Sequence, residues 1–291
     1  MWHLDNREIT FYRDDGKVFR VGDAQAWKFL KGNGMNGFAD FSGAISQVEN
    51  YSTDGGRVEN VRLSLKDRTI GLAYTNIANN KIARDAFKVF FIYNMKYNIY
   101  VTYMGITRWA RGTLYKMQMS DAAEDYLQTA KMTFRFENPY WLSVDNFGKD
   151  IASVIPMVAF PYICPVNVGT TAGKYEFDQE VEIINDGDAN AYPVITIAAK
   201  GAVTNPSIVI NGASVKMIDT LTSGDEVVFN FESLPPTLKK NGVNALGLAD
   251  RTSNFDDMYF ILGKNTISYG ADDGEANMSV AVKFYKKYAL I

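Results

Sequence analysis

The run Thr133-Phe134-Arg135-Phe136-Glu137-Asn138-Pro139-Tyr140-Trp141 constrains the fold more than any other part of this 291-residue chain. Up to Phe136 it alternates apolar and polar residues, the pattern of a half-buried strand. Pro139 ends that strand, because proline has no N–H for a ladder and restricts Asn138 to extended backbone. Two aromatics follow at once, large enough to anchor the chain against a core. The run falls near the midpoint, and the sequence differs in kind on its two sides. It predicts a hinge between two domains, residues 1–145 and 146–291.

Two domains suit the length at roughly 150 residues each. With 47% apolar and 22% charged residues the chain is globular rather than disordered. Its 17 Tyr and 18 Phe, with Val, Ile and Thr throughout, favour strands over helices. The lone Cys164 excludes an internal disulfide framework and cannot form a metal site by itself. The lone His3 removes most routes to histidine acid–base catalysis or zinc binding, so no cofactor or metal is expected. The start Met-Trp-His-Leu-Asp lacks the pattern of a signal peptide, and no apolar run approaches the ~20 residues of a membrane span. These features predict a chain made in a cytoplasm and kept there until it is assembled.

The net charge of −3 conceals a division. Residues 1–145 hold 19 Lys+Arg against 16 Asp+Glu, whereas residues 146–291 hold 11 against 17. Ten of the eleven arginines lie in the first half, and only Arg251 lies in the second. Arginine is enriched in protein interfaces and lysine depleted, since a planar guanidinium forms bidentate pairs and sheds water more easily. Either these are ordinary surface arginines, or the skew marks the first half as the assembling half, with Arg57, Arg62, Arg108 and Arg111 as interface candidates. A net +3 is too weak a field for nucleic acid.

In the first half, Ile9–Phe11 and Lys17–Val21 are short strands flanking Arg13-Asp14-Asp15-Gly16, a hairpin signal. The Asp pair reads as a solvated turn rather than a cation site. Trp27–Leu30 leads into a glycine-rich loop, residues 31–38, which lacks the Gly-Lys-Ser/Thr of a phosphate cradle. Val58–Leu65 is a strand entered from Asp54-Gly55-Gly56. A helix follows, with Asn79 or Asn80 as its cap. Ile82, Ala86, Val89, Phe90 and Tyr93 fall at helical spacing and are expected to face the core, with Lys81, Arg84, Asp85 and Lys88 outward. Ile99–Tyr103 and Thr107–Met119 are strands, and Ser120–Tyr126 is a polar turn. The half reads as a sheet or barrel of short strands with one helix packed on it.

After Trp141, residues 143–149 form a linker, and Pro156, Pro161 and Pro165 predict edge or irregular structure. Strand signals then recur at Val181–Ile184, Pro193–Ala198, Pro206–Ile210, Val215–Leu221, Glu226–Phe231, Asn244–Leu248, Met258–Leu262, Thr266–Tyr269 and Ser279–Tyr285. Asn211-Gly212 is a strong hairpin turn. Short strands at near-regular spacing predict a β-sandwich. Asp186-Gly187-Asp188 lacks the longer oxygen series of a calcium loop and reads as a tight turn, as does Asp272-Asp273-Gly274. Tyr140, Trp141, Tyr192 and Tyr269 offer either a sugar-stacking platform or scattered core aromatics.

Several motifs occur in an order that resembles one family. Gly37-Phe38, Gly56-Arg57-x-x-x-Val-Arg-Leu, Arg84 with Phe87, and Arg111-Gly112-Thr113-Leu114 precede Phe136-Glu-Asn138-Pro139-Tyr140-Trp141. Ile184-Asn185-Asp-Gly187-Asp188, Ala191-Tyr-Pro-x-Ile-x-Ile197, Asn205-Pro206-x-Ile208, Ile210-Asn-Gly212, Leu221-x-x-Gly-Asp225 and Leu262-Gly-Lys-Asn-x-Ile267 follow. Together they resemble the distal tail (Dit) proteins of long, non-contractile-tailed phages and prophages of Gram-positive bacteria. The resemblance implies a mainly β protein, with an N-terminal ring-forming domain and a C-terminal galectin-like β-sandwich. It implies a hexameric ring at the virion tail tip, without catalysis. The expected partners are further copies of the chain, the major tail tube protein, the tail-associated baseplate protein and the tape measure protein.

Two other readings compete with a structural hub. One is a carbohydrate-binding module gripping host cell-wall glycans with the sandwich. The other is a glycoside hydrolase using two carboxylates ~5–9.5 Å apart. Glu176, Asp178, Glu180 and Glu182 are acidic enough for it, but alternating acids on a strand suit a wet face better.

Overall fold

The structure, a computed structural model, describes residues 7–32, 34–121, 127–150, 153–156, 173–176 and 180–291. The chain divides into two compact units, Met1–Val144 with Tyr288–Ile291, and Asp145–Lys287. His3, Pro161, Cys164, Pro165 and most of the polar turn before β10 lie outside the described residues.

The first unit runs β1 (Glu8–Arg13), β2 (Val18–Gly22), β3 (Trp27–Phe29), β4 (Met35–Asn36), β5 (Gly43–Glu49), β6 (Gly56–Leu63) and β7 (Lys66–Tyr74). It continues with α1 (Asn80–Phe90), β8 (Lys96–Tyr103), β9 (Ile106–Met119), β10 (Gln128–Phe136) and β11 (Trp141–Ser143). An antiparallel sheet in the order β2-β1-β8-β9-β10-β7-β3 forms its body. The end strands β2 and β3 touch, so the sheet is barrel-like and nearly closed. β10 lies inside the sheet, with Phe134 opposite Arg68 on β7 and Leu114 on β9. Its alternation therefore reports one face on the core: Ala130, Met132, Phe134 and Phe136 are all buried.

Helix α1 closes that core with a stripe rotated from the expected one, which keeps Phe90 but leaves out Ile82, Ala86, Val89 and Tyr93. Phe87 and Phe90 are buried, with Phe91 just beyond the helix, and their rings pack on Phe11, Phe19, Trp27 and Tyr97. Ile82 is 71% exposed, Val89 63% and Tyr93 77%, and Ala86 is exposed too. Two apolar stripes compete on this helix, and the phenylalanines bury more area than Ile and Val can. Arg84, expected outward, instead donates to the Ser120 carbonyl (2.7 Å) and to Gln128 Oε1 (2.6 Å). The cap differs as well: a 3-10 turn over Ile77–Asn79 leads in, and Asn79 makes no side-chain capping bond.

The second unit runs β12 (Lys149–Asp150), β13 (Ser153–Pro156), β14 (Gly173–Glu176), β15 (Glu180–Asn185), β16 (Val194–Ala199), β17 (Val203–Thr204) and β18 (Ser207–Ile210). Then come β19 (Ala213–Lys216), β20 (Thr220–Leu221), β21 (Glu226–Asn230), β22 (Thr237–Lys240), β23 (Val243–Asn244), β24 (Gly263–Gly270) and β25 (Met278–Lys283). One sheet is β12-β25-β16-β21-β22-β23 and the other β15-β24-β18-β19. Ile195, Ile197, Val227, Phe229, Val280 and Val282 of the first share one core with Ile183, Ile208, Ile210 and Ile267 of the second. This is a β-sandwich.

Three strand expectations in this unit fail. Leu246–Leu248 is a 3-10 turn, with only Val243–Asn244 paired before it. Met258–Leu262 contributes a single bridge, Ala191 to Phe260. Its period of two arises because Met258 and Phe260 both drop into the core from a stretch that forms no ladder. Val215–Leu221 is interrupted after Lys216. β22 was missed, since Thr237-Leu-Lys-Lys carries one apolar residue. A last strand, β26 (Lys287–Tyr288), pairs with β11, and Tyr288–Ile291 belong to the first unit.

Candidate assembly surface

The hairpin β5–β6 is the part of the first unit with the least internal support. Among the described residues its strands pair only with each other, and every residue from Gly43 to Arg62 is exposed. Its root is fixed: Lys66 Nζ reaches the Asp40 carbonyl (2.7 Å) and carboxylate (2.9 Å), and Ser64 N–H donates to the Ser42 carbonyl (3.1 Å). Ile45 stands opposite Val61. A bulge at Ser46/Gln47 then sets Gln47 opposite Val58, so Val58 shares the face of Val61 although they lie three positions apart. Ile45, Val58 and Val61, each more than half exposed, form an apolar face with Leu63 at its base. Arg57 and Arg62 stand opposite Val48 and Ala44, on the other face. An isolated two-stranded hairpin is marginal in water, and this one shows an apolar side to solvent.

The four candidate arginines divide into two pairs. Arg57 and Arg62 ride on the hairpin, where Arg57 meets Glu59 at 3.0 Å. Arg111 instead holds both Asp14 carboxylate oxygens (3.0 and 2.8 Å). Arg108 lies 3.7 Å over the Tyr288 ring and donates to the Leu290 carbonyl, tying the returning chain end to the first unit.

The motif residues of the first unit converge on Arg68, which sequence reasoning passed over. Its guanidinium lies between two rings, 4.2 Å from the centroid of Phe136 and 4.0 Å from that of Trp141. Nε donates to the Gly37 carbonyl (3.3 Å) and Nη2 to the Pro139 carbonyl (3.0 Å). Trp141 Nε1 donates to the Phe38 carbonyl (3.2 Å), and Asn138 Oδ1 accepts from Tyr140 N–H (3.0 Å). Burial pulls the Arg68 pKa down to about 9, which still leaves a cation near neutrality. The available signal was register: Arg68 occupies an inward position of β7, in line with Ile70 and Leu72.

The motif residues of the second unit also serve the fold. Asn185 is buried, and its Nδ2 donates to the Ala189 (3.0 Å) and Phe260 (3.2 Å) carbonyls while Oδ1 accepts from Gly187 N–H (3.2 Å). A Cβ on Gly187 would stand 2.7 Å from the Lys287 carbonyl oxygen. Asp188 N–H donates to that same carbonyl (2.6 Å), and Asp186 pairs with Lys286 (2.6 Å). The Asp-Gly-Asp turn thus clasps the segment that leads to Tyr288. Asn205, at φ 51°, donates to Asp272 (2.7 Å), and Pro206 accepts from Met217 N–H (2.9 Å).

The sugar platform does not exist as expected: Trp141 and Tyr269 are buried at 0% and 4% exposure, leaving no ring face to stack. Among the described residues, no three His, Cys, Asp or Glu gather into a metal site. No helix among them is long and apolar enough to cross a membrane.

Comparison with known proteins gives two independent results. Residues 186–288 match the family model of the siphovirus-type tail component, C-terminal domain. Among solved structures, the chain is similar to the Dit protein (gp 19.1) of phage SPP1, described as a paradigm of the hub adsorption apparatus in phages infecting Gram-positive bacteria. The TM-score is 0.64 at 10% identity, over 96% of this chain and 98% of that one. Chains of the phage P2 baseplate in its activated conformation, with Ca and with Sr, give TM-scores of 0.56 and 0.54 at 12% and 11% identity. Each covers 98% of this chain and 99% of its own. At such identities these likenesses show the fold alone. No curated protein matches the sequence. Residues 186–288 thus match the C-terminal domain of a siphovirus-type tail component, and the chain has the fold of the SPP1 Dit protein along nearly its whole length.

Proposed function

We propose that the protein is a structural hub of a phage tail tip, working as a homo-hexameric ring built through its first unit and without catalysis. The ring joins the major tail tube protein on one side to the tail-associated baseplate protein on the other, with the tape measure protein near its channel. The second unit is a galectin-like sandwich carried at the periphery. The chain is assembled into virions in the host cytoplasm, and its place is the tail tip. The hub described for the SPP1 protein of the same fold supports the role. The observation that carries the ring is the β5–β6 hairpin, whose exposed apolar face calls for a partner.

Light scattering on the full chain tests this reading. The expected species has about six times the 32.5 kDa chain mass. A monomer at every concentration would overturn it.

A further inference from the structure

The first unit carries a second uncovered apolar surface besides the hairpin. Ile82, Ala86 and Val89 recur at spacings of four and three, so they form one stripe along α1, and Tyr93 is exposed just beyond the helix. All four are exposed, Ile82, Val89 and Tyr93 by more than 60%. A helix that already buries a full aromatic face has no intramolecular use for a second one. Beside the stripe run Lys81, Asp85 and Lys88, exposed and net positive, and neither lysine has an ion-pair partner among the described residues. At its far end the hairpin carries Glu49 and Asp54, which likewise have none.

The hairpin enters β7 just before Lys66, and the helix follows it beyond Tyr74. Among the described residues, the hairpin pairs with no other strand of its own chain. Two different, complementary patches on one body make a head-to-tail contact, the kind that closes a ring when its rotation permits.

Resting on the ring reading above, we propose that the Ile82/Ala86/Val89 stripe of each subunit is the dock for the β5–β6 hairpin of the next copy. Ile45, Val58 and Val61 lie on the stripe, and Glu49 and Asp54 face Lys81 and Lys88. Arg57 and Arg62 then lie on the hairpin face turned away from the helix.

Two experiments on the full chain test the dock. The first is light scattering of Val89→Glu, with circular dichroism to show that this exposed change leaves the fold intact. Association should weaken roughly tenfold or more, as loss of a central anchor does. The second replaces Cys164 with Ser and places one new thiol per chain, Val89→Cys or Ile45→Cys. Oxidation should give covalent dimers when the two variants are mixed, and not from either alone. A ring that survives Val89→Glu, with no mixed dimer, overturns the dock and leaves the ring standing. A Val89→Glu monomer without mixed dimers overturns the hairpin as occupant. A monomeric parent chain at every concentration overturns both.

Discussion

The Arg68 guanidinium sits 4.0 Å over the Trp141 ring, and the two residues come from strands separated by more than seventy positions. Through this contact the segment after β10 is drawn back into the first unit instead of passing directly to the second. A lysine at position 68 would keep the charge but lose the planar fork that reaches two carbonyls while stacking on two rings. Arg68→Lys should therefore destabilise the protein by about 1–3 kcal/mol, since at least one of the Gly37 and Pro139 carbonyls loses its donor. Urea unfolding followed by tryptophan fluorescence reads this directly. A midpoint equal to that of the parent chain would show that charge alone suffices.

Phe136 is held from its other side by Gly112, where an added Cβ would stand 3.2–3.3 Å from the ring. The ring cannot retreat, because Arg68 lies 4.2 Å from its centroid. Gly112→Ala should cost about 1–3 kcal/mol, as overpacking a rigid core does. In a double-mutant cycle with Arg68→Ala the cost should shrink, because the ring gains room to move. Strict additivity would disprove the coupling.

How much was legible follows from what each residue answers to. The period of two in β10, β16 and β25 was readable because those strands lie inside a sheet with one face on a core, so burial imposes the pattern. Asn211-Gly212 was readable for a local reason, since both residues take positive φ, 49° and 88°. Helix α1 was found but rotated: its two apolar stripes are indistinguishable by spacing, and only the shape of the surrounding aromatic cluster selects Phe87 and Phe90. Trp141 looked like the border of a domain and is instead a fully buried strand residue of the first unit, which depends on Arg68 and Phe38 far away in sequence. The chain's return at Tyr288 left no mark in the pattern, because one turn of chain and a contact with Arg108 produce no periodicity.

Asn185 offers a test in the second unit. Its amide nitrogen faces two carbonyls, so Asn185→Asp would set a buried carboxylate oxygen against two acceptors. The ionised form is disfavoured there, which raises the folded pKa of the new carboxyl above its unfolded value. A carboxyl of that kind costs least when protonated, so the penalty should grow as pH rises through the range between the two values. At neutral pH a loss of about 2–4 kcal/mol is expected, easing toward about pH 4. Thermal midpoints of variant and parent at the two pH values provide the comparison. A difference independent of pH would refute the carbonyl contact.

Asp225 makes the opposite prediction. It accepts from Thr222 N–H (2.8 Å), Thr222 Oγ1 (3.1 Å) and Asn241 Nδ2 (2.8 Å), with Lys240 Nζ at 3.5 Å. The Thr222 backbone bond first, then Asn241, hold its pKa well below the ordinary value of 3.8. A carboxylate with a depressed folded pKa contributes fully above the unfolded value and loses that contribution as pH falls through the folded one. Arg135 depresses Asp67 and Lys216 depresses Asp272 in the same direction, so the whole chain should lose stability steeply below about pH 4. Asp225→Asn removes one contributor and turns an amide N–H toward donors. The variant should be less stable near pH 7, and its difference from the parent should narrow between about pH 4 and pH 2. Parallel melting curves across that interval would mean that Asp225 carries no depressed pKa in the folded chain.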